Sequence, residues 1–204
     1  MTRQLIYVPI LHNPFAGEIV FSTEMDERLA AIDPSLRQEF IQEQTNYWDE
    51  IDNYLAKQSV DRVYHDTVSQ ETMNTSIEFL DSGNFGLSRN FTAVRRLRES
   101  GSKLMVTEFN GLSNRYILDD LPRRDRYIAD RIGETLQDNE TGVLFIGAGH
   151  DITRKLSETY KDIIIYRPNF DLSRLVGAYK AICLQISPEE ANSIEELLKP
   201  TLGN

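Results

Sequence analysis

Short runs rich in β-branched and aromatic residues alternate with longer amphipathic stretches along the whole of this 204-residue chain. The runs cover residues 4–11, 60–65, 103–107, 142–146 and 161–166, and each has the length and composition of a buried strand. Between them, apolar residues recur at helical spacing. The clearest case is Leu36, Phe40, Ile41, Tyr47, Trp48, Ile51, Tyr54 and Leu55, in a helix opened by Pro34 and Ser35 and running to about Lys57. Strands that run parallel need crossovers of this length between them. The alternation therefore predicts an α/β fold: one mostly parallel sheet of about five strands with helices on both faces. No repeat, biased segment or linker divides the chain, so residues 1–204 read as a single domain.

The connections are read in the same way. A loop containing Asn13, Pro14 and Gly17 joins the first strand to the long helix. Residues 67–80 turn helical toward their end, a turn covers 81–86, and a helix over 90–99 stops at Ser100-Gly101. A helical region over 110–138 is divided near Leu121-Pro122. Two helices close the chain, the last capped by Ser187, Pro188 and Glu190.

A net charge of −10 repels phosphate backbones and anionic lipid surfaces, which argues against nucleic acid or a membrane as partner. No apolar run approaches the ~20 residues of a membrane span, and the apolar part of residues 1–10 is too short for a signal peptide. The single cysteine, Cys183, has no intramolecular disulfide partner; it reads as buried filler in a protein of the reducing cytoplasm.

All three histidines stand at the C-terminal end of a predicted strand, in the segments 7–12, 60–66 and 143–150. In an open α/β sheet that edge gathers binding and catalytic groups, and imidazole exchanges protons or binds metals near neutral pH. His150 ends the turn Gly147-Ala-Gly-His150, whose glycines permit close ligand approach and which leads into a helix N-terminus. A dinucleotide fingerprint would need a third glycine where Ile152 stands and an acid where the next strand ends in Tyr166-Arg167. His12 follows the first strand directly. His65 and Asp66 are neighbours and so point to opposite faces. Asp66 shares the parity of Tyr64 and is the preferred site member, with His65 facing a covering helix. Glu108, after the third strand, suits a general base, a metal ligand or a helix cap. Arg124 lies on the inward stripe through Leu121, Ile128 and Ile132, where an arginine meets a carboxylate or an anionic ligand.

The segment Arg123-Arg124-Asp125 through Ile132, followed by Gly142 to His150, resembles the Tiki/TraB/erythromycin-esterase/ChaN-like superfamily. There, a helix opening with an Arg-Asn or Arg-Asp pair precedes a strand ending in Gly-x-x-His. The resemblance implies an α/β sandwich with His150, Arg124 and His12 as site residues, and Asp66 and Glu108 where acids are sought. This chain departs from the pattern at Pro9-Ile-Leu-His12, which lacks the usual glycine and adjacent glutamate, and at Asp66, where a glutamate is usual. Members include metal-dependent peptidases, a macrolide esterase and haem-binding proteins, so the resemblance leaves the reaction open.

Three functions remain open. In the first, the chain is a hydrolase acting on an ester or amide of a small molecule or peptide. His150, His12, Glu108 and Arg124 would be catalytic, and Arg124, Gly147 and Gly149 would hold the substrate. His12, Asp66 and His150 could ligate a divalent transition metal, whose identity that donor set does not fix. In the second, Arg124 and the Gly147–Gly149 turn bind a small anionic ligand without catalysis. In the third, the same turn serves a nucleotide-dependent enzyme.

Overall fold

The computed structural model describes residues 2–15, 23–86, 88–109 and 121–186. Its strands are β1 (Arg3–Ile10), β2 (Arg62–His65), β3 (Lys103–Met105), β4 (Thr141–Gly147) and β5 (Ile163–Tyr166). They form one five-stranded sheet in the order β3-β2-β4-β1-β5, and every pairing is parallel. The predicted α/β architecture is thus observed. Central strands β4 and β1 are buried almost throughout, as parallel strands covered on both faces must be.

Seven helices connect or flank the described strands: α1 (Thr23–Ala30), α2 (Pro34–Leu55), α3 (Met73–Ser82), α4 (Arg89–Glu99), α5 (Leu121–Thr135), α6 (Ile152–Thr159) and α7 (Ser173–Ile186). Strand parity divides the core in two. Ile6, Val8, Val63, Val143 and Phe145 pack with α2, α3, α4 and α7. Leu5, Tyr7, Tyr64, Leu144 and Ile146 pack with α5 and α6 on the opposite face. Trp48, only 2 % exposed, is among the largest side chains in the first layer. Truncating such a residue costs about 3–5 kcal/mol.

α2 begins as the sequence suggests: Pro34 occupies the first turn and the Asp33 carboxylate accepts a hydrogen bond from the Ser35 N–H at 2.8 Å. α1 departs from the sequence expectation, which places residues 23–30 in the loop between β1 and α2. Its sequence, Thr-Glu-Met-Asp-Glu-Arg-Leu-Ala, offers only two large apolar residues, too few for a periodic signal. The predicted closing helix around Ser187, Pro188 and Glu190, the segment 110–120 and Gly17 lie outside the described residues.

At the N-terminal edge of the sheet, Arg3 Nε donates to Asp162 at 2.7 Å and Arg62 makes a two-pronged pair with Glu140. At the C-terminal edge one carboxylate oxygen, Asp66 Oδ1, is buried with no hydrogen-bond partner among the described residues.

Candidate functional site

The site lies at the C-terminal ends of β2, β4 and β1, the three central strands, where an open parallel sheet exposes its crevice. β4 ends at Gly147. A Cβ built there would lie 3.4 Å from Asp66 Oδ2, 3.4 Å from His12 Nε2 and 3.5 Å from His150 Cδ2. Groups from the ends of three neighbouring strands therefore converge on the space a side chain at 147 would fill. The glycine serves this close approach, as its φ is not in the left-handed region.

Each group is held by a different device. His12 follows β1 between Leu11 and the fully buried Asn13. Asn13 Nδ2 donates to Gln44 Oε1 at 2.7 Å, and Gln44 Nε2 donates to the Leu11 carbonyl at 3.4 Å. A buried amide on α2 thus holds the Leu11 carbonyl on one side of His12 and the Asn13 side chain on the other. His12 itself is only partly buried. Asp66, 3 % exposed, accepts the Gly147 N–H at 2.8 Å through Oδ2. Burial is the largest single influence on its carboxyl and pushes the pKa up. Nearby His65, His12 and His150 and the Gly147 N–H outweigh it, so the group stays below its ordinary value.

His150 is 4 % exposed, and its Nδ1 lies 2.5 Å from Asp125 Oδ1. The second oxygen of Asp125 accepts the Asp151 N–H at 3.0 Å, just before the first turn of α6. Asp125 therefore fixes both the imidazole and the backbone that follows it. A carboxylate on Nδ1 makes that nitrogen the donor and leaves the far edge of the ring toward the Gly147 space. Asp125 was not among the site residues expected from sequence. Its signal was present: Ala129 and Ile132 lie four and seven residues beyond it, on the buried face of α5.

Glu108 and Arg124 are brought together with each other. Arg124 Nε donates to Glu108 Oε2 at 2.7 Å, with the two side chains 8 % and 1 % exposed. Glu108 Oε1 accepts the Phe109 N–H at 3.0 Å, and Arg124 also reaches the Asp66 carbonyl at 3.5 Å. Burial pushes the Glu108 carboxyl up more than Arg124 pulls it down. This buried pair ties the start of α5 to the ends of β2 and β3. The inward position of Arg124 meets a carboxylate of the protein itself.

His65 points to the other face, where its ring stacks on Phe91 with centroids 5.0 Å apart. Its Nδ1 accepts the Thr67 N–H at 3.3 Å, and its Nε2 lies 3.3 Å from Asn90 Nδ2. Gly149 lies in the turn between β4 and His150.

No family model matches the chain, and neither does any curated protein or solved structure. His12, Asp66 and His150 share one centre; Asp125 engages Nδ1 of His150 and the Gly147 N–H engages Oδ2 of Asp66, which leaves the other ring nitrogen and the other carboxylate oxygen outside those two hydrogen bonds. Among the described residues no three His, Cys, Asp or Glu side chains form a group that could hold a metal ion.

Proposed function

We propose that this protein is a hydrolase that cleaves an ester or amide bond with water as the nucleophile and His150 as general base and acid. The observation that carries the reading is the buried Asp125–His150 pair, 2.5 Å from oxygen to Nδ1, with the opposite ring edge facing the space over Gly147. A carboxylate in this position selects the imidazole tautomer whose Nε2 is a base, and it stabilises the imidazolium once formed. Nε2 would take a proton from water as the water oxygen bonds to the carbonyl carbon. When the C–O or C–N bond breaks, the imidazolium returns that proton to the departing oxygen or nitrogen. His12, whose Nε2 faces the same space, would hydrogen-bond the negative charge that develops on the carbonyl oxygen.

The superfamily resemblance is compatible with hydrolysis but does not select it, because its members include haem-binding proteins as well as peptidases and an esterase. A reading as an anion-binding module without catalysis is weaker, because the Arg124 Nε is engaged by Glu108. Among the described residues no helix is long and apolar enough to cross a membrane. The lone Cys183 fits a cytoplasmic, reducing setting.

The test is hydrolysis of a panel of aryl esters and dipeptide amides by the purified chain, compared with His150→Ala and Asp125→Asn. The reading expects turnover that both substitutions reduce by about 10²–10⁴-fold, the range of general acid–base catalysis. Turnover that survives His150→Ala unchanged, or no turnover of any panel member, would overturn it.

A further inference from the structure

A second concave site lies behind the sheet, on the face opposite Asp125. It is a cavity of about 270 Å³ between α3 and α4, over the end of β2. His65 and Phe91 are among its lining residues and stack on one another, with centroids 5.0 Å apart and planes 23° apart. Phe79 stands at right angles to Phe91, with centroids 5.1 Å apart, and remains 38 % exposed. Val94 lies deep in the cavity, and the hydroxyl-bearing Thr75 and Ser76 line the side contributed by α3.

We propose that this cavity is a binding site for a small, neutral, flat aromatic molecule of about two fused rings carrying one hydrogen-bonding group. Three features specify that chemistry. The first is size: an apolar cavity of about 150 Å³ accepts benzene, so the larger volume here suits a bicyclic ligand. The second is wall geometry. Phe79, 38 % exposed and perpendicular to Phe91, supplies the accessible ring, and the other aromatic lining residues suit the edge-to-face and offset contacts that aromatic partners favour. The third is charge. In a chain carrying a net charge of −10, no Asp, Glu, Lys or Arg is among the described residues lining the cavity. An ionic ligand would be desolvated there without a counter-charge, which is costly. The threonine and serine hydroxyls can satisfy one donor or acceptor on the ligand.

The cavity is distinct from the hydrolytic site and does not depend on it, although the two are close. His65 lines the cavity, and its Nδ1 lies 3.5 Å from Asp66 Oδ1. A ligand against the His65 ring would sit one side chain away from Asp66.

Nuclear magnetic resonance titration of the full ¹⁵N-labelled chain with indole tests this, with tryptamine and indole carboxylate as cationic and anionic counterparts. The expected result is saturable binding of one indole per chain, with the largest shifts in α3, α4 and the His65 region, and weaker binding of both charged analogues. Val94→Phe should fill the cavity and weaken indole binding by about tenfold or more, the scale on which a hydrophobic pocket discriminates. Ser76→Leu, at a half-buried wall position that tolerates change, should do the same while the spectrum stays that of the folded protein. The proposal is overturned by no saturable shifts, by shifts centred elsewhere, by equal binding of the charged analogues, or by unchanged binding to folded Ser76→Leu.

Discussion

Asp125 Oδ1 lies 2.5 Å from His150 Nδ1, and both side chains are more than nine-tenths buried. The other oxygen of Asp125 accepts the Asp151 N–H, so one carboxylate orients the imidazole and anchors the chain after it. Residues that act as such a unit show strongly non-additive effects. In assays with any ester or amide that the protein turns over, Asp125→Asn, His150→Ala and the double variant should lose comparable activity. A double variant whose loss in kcat/KM equals the product of the two single losses would show that the residues act independently.

Glu108 and Arg124 predict a stability effect of the opposite kind. The pair is almost entirely removed from solvent, so deleting either partner leaves a buried charge uncompensated. Such a loss costs about 3–5 kcal/mol, whereas replacing both by apolar residues of similar volume is often neutral. Urea unfolding should therefore rank Arg124→Met and Glu108→Leu as strongly destabilised and the double variant as closer to the native protein. If the two single losses simply add in the double variant, the coupling is absent.

These two pairs also show how far the sequence could be read. The sheet was legible because its strands are short, apolar and regularly separated, and Asp66 followed from its parity with Tyr64. Arg124 was found because Ile128 and Ile132 mark its face with large side chains. Asp125 is next to it, rotated by about 100° on the helix; the residue one turn on from it is Ala129, too small to stand out, and Ile132, seven residues on, was already counted on the stripe of Arg124. An inward face that wide holds both residues, which a single-stripe reading does not anticipate. Gln44 was hidden for a related reason: polar neighbours Gln42 and Glu43 face outward, and only tertiary packing shows that it reaches Asn13 and the Leu11 carbonyl. The partner of Arg124 was not legible either, since Glu108 comes from a different strand end and their contact depends on strand order.

Gly147→Ala tests whether the space above β4 is functional. The added methyl would sit 3.4 Å from both Asp66 Oδ2 and His12 Nε2, ordinary contact that the fold can accommodate. Alanine also relieves the conformational cost of glycine inside a strand, about 0.5–1 kcal/mol. Thermal unfolding should therefore move by no more than a few degrees, since about 1 kcal/mol corresponds to roughly 2–4 °C in a chain of this size. Hydrolytic turnover should fall sharply, because the methyl occupies the point on which His12, Asp66 and His150 converge. Full activity in a folded Gly147→Ala protein would place the reaction elsewhere.

Asp66 gives the pH dependence. Burial raises its carboxyl, but His65, His12, His150 and the Gly147 N–H bring it below its ordinary value. A carboxyl with a lowered folded-state pKa binds its proton more readily in the unfolded chain than in the folded one. Its contribution to stability is therefore complete above the unfolded value of about 3.9 and is lost as pH falls through the folded value. Asp66→Asn keeps an acceptor for the Gly147 N–H but removes the titration. Measured by urea unfolding, the stability advantage of the native protein over Asp66→Asn should shrink as the pH falls from about 5 toward 3, the interval in which the carboxyl takes up its proton. An advantage that grows as the pH falls would mean that burial, not the surrounding histidines, sets the charge of Asp66.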